Sequence, residues 1–434
     1  MLDVQGKRVV VIGLGISGIA ACRMLVARGA KVVGTDARTN VAPIEGVELV
    51  LGGHDGARLD EADLIVVSPG VPMFPLLAAA EARGVRIWGE VELAVQALPD
   101  PKPPIIAIGG TNGKSTTTTL VGELLEAAGK KVFTGGNLGE PLAAHADTRF
   151  DVVVLEVSSF QMERVEEFRP KVSLLLNITP DHLDRYPSEQ AYADAKGNSF
   201  VRQGKDDLAV VPASDLVCLT QARRGQGQVV TFGPGGDVQV TDDAIIDGEH
   251  AYPRAAIALQ GGHNAANVAA ALAAVRPFQL ERAVVAKVLA EFKGLAHRMA
   301  FVRERNGVRY YDDSKGTNVG ASVTAVLGMR EPRIVLIAGG KDKGGSYGPL
   351  ADAMRSRGRA AVLIGEATPL LARALDGVVP VELATDMNDA VAKAANHAVT
   401  GDAVLLSPAC SSFDMFKDYK ERGDVFVRAV QELP

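Results

Sequence analysis

The chain has 434 residues, 47% of them hydrophobic, and a net charge of −6. That length predicts roughly two to four domains with ample cores, and the acidic balance argues against a nucleic-acid partner or an anionic membrane surface. The three cysteines, Cys22, Cys218 and Cys410, form neither a disulfide framework nor a metal knuckle, which predicts a reducing, cytoplasmic setting.

Arg8–Ile12 is an apolar, β-branched run that enters the glycine turn Gly13–Gly18, with no signal-peptide cleavage site after it. Asp36 ends the next strand, Lys31 to Thr35. Together they make a dinucleotide fingerprint, which taken alone favours an NAD-dependent oxidoreductase. Physically the loop says only that a phosphate-bearing ligand docks at a helix N-terminus. Because the next segment is rich in ATP features, the loop is read as the site of a nucleotide-linked substrate. Gly15, Ile16 and Ser17 lie against that ligand, and Asp36 with Arg38 meets its base, ribose or diphosphate. A second turn, with Ser68 and Gly70, follows the strand Leu64–Val67 and lines the same crevice.

A proline-rich linker, Leu98 to Pro104, ends the first domain. The run Ile105–Ile108 then feeds Gly109-Gly110-Thr111-Asn112-Gly113-Lys114-Ser115-Thr116 and a helix-like segment from Thr117 to Ala128. Strand, glycine turn and Lys-Ser helix start make a phosphate-binding loop, although the general pattern wants glycine where Ile108 stands. Lys114 reaches the β- and γ-phosphates and Ser115 holds Mg²⁺. Asn137 follows the strand Lys131 to Thr134. The strand from Asp151 ends in Glu156, a candidate for the same Mg²⁺, with Ser158 just beyond. The strand Val172 to Ile178 ends in Thr179-Pro180-Asp181-His182-Leu183-Asp184. C-terminal strand ends share one sheet edge, so the phosphate loop, Glu156, Asn137 and His182 are expected at one crevice. The stretch Gln226–Glu249 suggests edge β-hairpins, and Ala255–Val275 is too polar for a membrane span. A further domain begins near Leu295, and Arg333–Gly339 is a third strand feeding a glycine turn.

These motifs, with Gly262–Asn267, His297-Arg298, Asp313–Asn318 and Ser407–Asp414, resemble the Mur ligase family over nearly the whole chain. The closing Phe416–Gly423 is similar to the member that adds D-glutamate. The resemblance implies an α/β fold of three domains in series: Rossmann-like (1–99), P-loop ATPase-like with a parallel sheet (100–295) and Rossmann-like (296–434). It implies ligation of D-glutamate to UDP-N-acetylmuramoyl-L-alanine through an acyl phosphate in peptidoglycan precursor synthesis, by a monomer using ATP and two Mg²⁺ ions. It further implies that Gly110 to Thr116, Asn264, Asn267, Arg298 and Asp313 bind ATP, with Asp313 at the ribose. Lys315 faces the reacting anions. Thr317, Lys343, Ser411 and Ser412 bind D-glutamate between Phe413 and Tyr419. Lys196 is an ordinary helix lysine by sequence; the resemblance makes it a carbamate and, with His182, a ligand of the second metal. Three alternatives remain open: a sister ligase adding L-alanine, an NAD-binding oxidoreductase and a non-enzymatic ATP-binding regulator.

Overall fold

The computed structural model describes residues 2–183, 185–259, 261–344 and 346–433, so Asp184 lies outside the described residues. Three α/β domains follow one another, each on its own sheet. The chain forms two compact units. One comprises residues 1–178, 193–258 and 266–291; the other comprises 179–192, 259–265 and 292–434. No helix among the described residues is long and apolar enough to cross a membrane.

The first sheet holds β1 (Arg8–Ile12), β2 (Lys31–Asp36), β3 (Val47–Leu51), β4 (Leu64–Val67) and β5 (Ile87–Gly89). All are parallel, in the order β3-β2-β1-β4-β5. Strand order reverses between β1 and β4, the switch point at which ligands bind such sheets. The Gly13 loop and the Ser68 turn follow those two strands.

The second sheet has nine strands: β6 (Ile105–Gly109), β7 (Val132–Gly136), β8 (Val152–Glu156), β9 (Val172–Leu175), β10 (Leu208–Pro212), β11 (Gln228–Gly233), β12 (Val238–Val240), β13 (Ala244–Asp247) and β14 (His250–Pro253). β6 lies between β8 and β9, so the phosphate loop emerges beside Glu156 on one side and Leu176 on the other. The expected edge hairpins are β12-β13 and β13-β14, antiparallel, and they run on to Pro253. β9 stops at Leu175, short of the expected Ile178, because Asn177 turns inward to the phosphate loop.

The first and second sheets belong to one unit and share a core: Trp88, Val91 and Leu93 cluster with Leu142, Ala143, Val153 and Phe168. Glu92 is fully buried at this junction. One of its oxygens accepts the backbone N–H groups of Glu166 (2.9 Å), Glu167 (3.2 Å) and Phe168 (3.0 Å).

The third sheet is ordered β15-β16-β20-β17-β18-β19, from β15 (Ala300–Arg305), β16 (Val308–Asp312), β17 (Ile334–Gly339), β18 (Gly358–Ile364), β19 (Val381–Leu383) and β20 (Ala403–Leu406). Only β15 is antiparallel. β20 sits between β16 and β17, so the loops after these three strands leave the same edge. They carry Asp313 to Thr317, Lys341 to Lys343 and Ser407 to Phe413.

Candidate active site

The N-terminal loop is built by close backbone packing. A Cβ on Gly18 would collide with the Gly13 carbonyl and lie 2.7 Å from Ser68 Oγ. Ser68 Oγ in turn donates to the Gly13 carbonyl at 2.6 Å. Gly15 caps the helix Ile16–Ala27 with no side chain and has open space around it. Asp36, expected to touch a ligand, uses its oxygens within the protein. It accepts from Leu14 N (2.7 Å) and from the Arg38 backbone N–H and guanidinium. Those Arg38 hydrogen bonds hold its carboxyl far below the usual range. Asp36 therefore shapes the loop, and Arg38, more than half exposed, presents the charge at its rim. Ile16 is exposed beside it.

In the second domain the phosphate loop turns at Gly110 and Gly113, both at positive φ. A side chain at Gly110 would press on Leu176, and one at Gly113 on Asn267. Ile108 occupies the position where the general pattern wants glycine. It is fully buried in β6, so the turn opens only after Gly109. Asn177 braces the loop: its Oδ1 accepts from Asn112 N (2.9 Å), and its amide donates to Asn112 O (3.1 Å). Lys114 starts the helix Lys114–Ala127 and donates to the carbonyls of Gly110 (3.0 Å) and Thr111 (2.8 Å). Ser115 and Thr116 are buried in its first turn.

Glu156 is buried at the end of β8. Asn137 donates to its Oε1 at 2.8 Å, whereas Oε2 has no hydrogen-bond partner among the described residues. A buried carboxylate oxygen without a donor is costly unless something positive meets it. Among the described residues no three His, Cys, Asp or Glu side chains gather as a metal cage. Mg²⁺ does not need one, since it takes one or two carboxylates, waters and substrate phosphates. Glu156 and Ser115 fit that pattern. Lys196, buried in the helix Glu189–Gly197, donates to the Gly110 carbonyl at 2.8 Å, which places it on the phosphate loop.

In the second compact unit, Asp313 is buried against Ser407 Oγ (2.7 Å), and burial pushes its carboxyl up to about 7, with the charge of Arg298 acting in the other direction. Burial, with Arg298, lowers His263 to about 4, so Arg298, Asp313 and the Asn264 segment lie near one another. Lys315 Nζ sits 4.9 Å from the Tyr419 ring and 3.4 Å from its hydroxyl. Lys343 Nζ is 3.8 Å from Asp181 Oδ1, and Asn318 donates to Asp181 Oδ2 at 3.3 Å. Thr179, Asp181, His182, Asn318, Lys343 and Tyr347 line a cavity of about 370 Å³. His182, His297, Met299 and Ala409 all hold positive φ without being glycine. Such strain concentrates at functional sites.

The chain matches a known family along most of its length. Residues 7–89 match the Mur ligase MurD-like N-terminal domain, 108–275 the Mur ligase middle domain and 297–410 the Mur ligase glutamate ligase domain. The UDP-N-acetylmuramoylalanine–D-glutamate ligase of Geotalea daltonii is 45% identical over 452 residues, covering 100% of this chain and 99% of that protein. The chain belongs to the Mur ligase family. Solved structures share the fold of this Mur ligase. A pseudomurein peptide ligase type C from Methanothermus fervidus aligns with a TM-score of 0.64 at 20% identity, over 99% of this chain and 100% of that one. The MurF ligase of Thermotoga maritima, solved with ADP, aligns at 0.63 and 17% identity, over 99% and 96%.

Several of the expected site residues of this Mur ligase also make contacts within the protein. Ser158 forms a capping box with Gln161: its hydroxyl accepts from Gln161 N at 3.2 Å, so it is held by the helix it starts. Ser411 Oγ donates to the Lys341 carbonyl at 3.1 Å, and Ser412 is buried. Phe413 is exposed, with 71% of its surface accessible. Thr317 joins this edge through its N–H to the Lys315 carbonyl (2.9 Å). Gly70, at positive φ, has open space around it, as a ligand-facing turn requires. Arg422 was not singled out by sequence. It is buried and donates to Ser314 O, Ser314 Oγ and Cys410 O, tying the loops after β16 and β20 together. Burial lowers it to about 10, still protonated at neutral pH.

Proposed function

We propose that this Mur ligase joins D-glutamate to UDP-N-acetylmuramoyl-L-alanine with conversion of ATP to ADP and phosphate. Its reaction class, ATP-dependent amide formation, is that of the family. The end-to-end identity with a D-glutamate ligase carries the reading, on a chain whose phosphate loop is braced and whose Glu156 keeps one oxygen unsatisfied among the described residues.

The substrate carboxylate oxygen attacks the γ-phosphorus of ATP, giving an acyl phosphate and ADP. The amine of D-glutamate then attacks the acyl carbon, phosphate leaves, and the nitrogen loses a proton. The first step brings a carboxylate onto a triphosphate, so charge must be neutralised and water excluded. Lys114 reaches the phosphates by exchanging its carbonyl partners for phosphate oxygens, and the loop N–H groups cradle them. Mg²⁺, when bound, neutralises phosphate charge; Glu156, oriented by Asn137, and Ser115 would hold one ion. For a second ion we propose a carbamylated Lys196 as a ligand. A carbamate turns a buried ammonium into an anionic oxygen donor suited to that hard cation. Asn264, Asn267, Arg298 and Asp313 flank the nucleotide, and Lys315 faces the transferring charge. The Gly13 loop and Arg38 take the UDP end. Thr317, Lys343, Ser411 and Ser412 receive the amino acid. We further propose that the enzyme works in the cytoplasm as a monomer.

A phosphate-release assay tests the reading. Release should require ATP, UDP-N-acetylmuramoyl-L-alanine and D-glutamate together. Release with UDP-N-acetylmuramate and L-alanine instead would identify the sister activity. Saturable NAD binding at the Gly13 loop would favour an oxidoreductase.

A further inference from the structure

Lys343 sits on an irregular loop after β17, where a long, flexible side chain is only as well placed as its backbone. Asp342, one residue earlier, uses both carboxylate oxygens to fix that backbone. Oδ2 accepts from Gly344 N at 2.9 Å and closes a turn over Lys343. Oδ1 accepts from the Tyr347 hydroxyl at 2.6 Å. Tyr347 is buried, and its oxygen lies 3.1 Å from Sγ of Cys410, which is fully buried. A phenol has one proton, and Tyr347 gives it to Asp342, so the Cys410 thiol is the donor to Tyr347. The Cys410 carbonyl accepts from Arg422 at 3.2 Å. A relay of hydrogen bonds thus runs from the loop after β20 to the turn that carries Lys343. Burial raises both the phenol and the thiol, so neither loses its proton near neutral pH. Lys343 and Tyr347 line the same cavity.

We propose that Tyr347, braced by Cys410 and acting through Asp342, is a positioning residue that presents Lys343 to the carboxylate of the incoming amino acid. This rests on the reading that Lys343 binds D-glutamate. Steady-state kinetics of the full chain test it. Tyr347→Phe keeps the packing of the ring and removes the bond to Asp342. It should raise KM for D-glutamate on the order of tenfold, with kcat and the KM values for ATP and the UDP-linked substrate nearly unchanged. Lys343→Ala should raise the same KM, and Tyr347→Phe added to it should have little further effect, because the two act as one unit. Cys410→Ala should share the defect, and Cys410→Ser, which keeps a donor, should relieve it. If Tyr347→Phe folds poorly, Asp342→Asn reads the same coupling from a partly exposed position. An unchanged KM for D-glutamate in Tyr347→Phe, or additive effects with Lys343→Ala, would overturn the positioning role while Lys343 kept its own. An unchanged KM in Lys343→Ala would instead remove the reading on which the proposal rests, and the proposal with it.

Discussion

Gly15 and Gly18 give opposite predictions from the same loop. Gly15 has ordinary φ, −78°, and nothing lies within 4 Å of where its Cβ would stand. Gly15→Ala should therefore cost only what a poorer N-cap costs, about 1 kcal/mol. The new methyl group would occupy the space where a diphosphate must approach the backbone. Losing one charge-assisted hydrogen bond there, roughly 1.5–3 kcal/mol, raises KM for the UDP-linked substrate on the order of tenfold to a hundredfold. Gly18→Ala is a packing fault instead. Its Cβ would meet the Gly13 carbonyl and lie 3.0 Å from the Gly13 carbonyl carbon, neither of which can yield as a flexible side chain does. The cost should be about 3 kcal/mol, the upper end for overpacking. Thermal unfolding monitored beside substrate titrations in the phosphate-release assay separates the two. A Gly15→Ala protein with wild-type KM, or one as unstable as Gly18→Ala, would refute the assignment of this loop to the substrate.

Lys114→Ala should abolish turnover while equilibrium binding of the UDP-linked substrate survives, since the two loops follow different sheets; near-normal ligation would remove the phosphate-loop assignment. Lys196→Ala should be nearly inactive and partly rescued by a short carboxylic acid, whereas Lys196→Arg should not be rescued, because a guanidinium cannot become an anion; wild-type rates in Lys196→Ala would eliminate the carbamate. Glu90 is buried with one oxygen unpartnered among the described residues, and burial pushes it from 4.5 up to about 7. Its folded form binds the proton more tightly than its unfolded form, so stability is fully present below about pH 4.5 and lost as pH rises through about 7. That difference is roughly 3 kcal/mol. Urea unfolding at about pH 4 and about pH 8, on either side of that window, should show this loss in the wild type and not in Glu90→Gln, and equal slopes in both proteins would count against it.

The sheets were legible because their strands are short, apolar and followed by glycine turns, as buried parallel strands are. The positions of the phosphate loop, Glu156 and Asn137 just at or after strand ends were legible for the same reason. What escaped was polar chemistry between residues distant in sequence. Tyr347 and Cys410 are 63 positions apart, and nothing local marks either as a partner. Asp36 and Ser158 carry a structural role that went unread. Both stand where a ligand contact is expected, and both are used by the backbone, one on Leu14 and the other in a capping box. The Ser-x-x-Gln spacing of that box is present in the sequence and is a helix-start signal in its own right.

Glu92 shows how such hidden polar groups bear on the reaction. It lies in the helix Glu90–Ala97, is fully buried and takes three successive N–H groups from residues 166–168. Successive backbone donors of this kind make an anion-binding concavity, and here the anion is supplied by the neighbouring domain of the same unit. With the shared core around Trp88 and Phe168, this fixes the Gly13 loop and the phosphate loop within one packed body. In the proposed reaction both loops serve a single substrate, with its UDP end at one and its carboxylate facing ATP at the other. Much of the orientation that phosphoryl transfer needs is therefore set by side-chain packing before any ligand arrives.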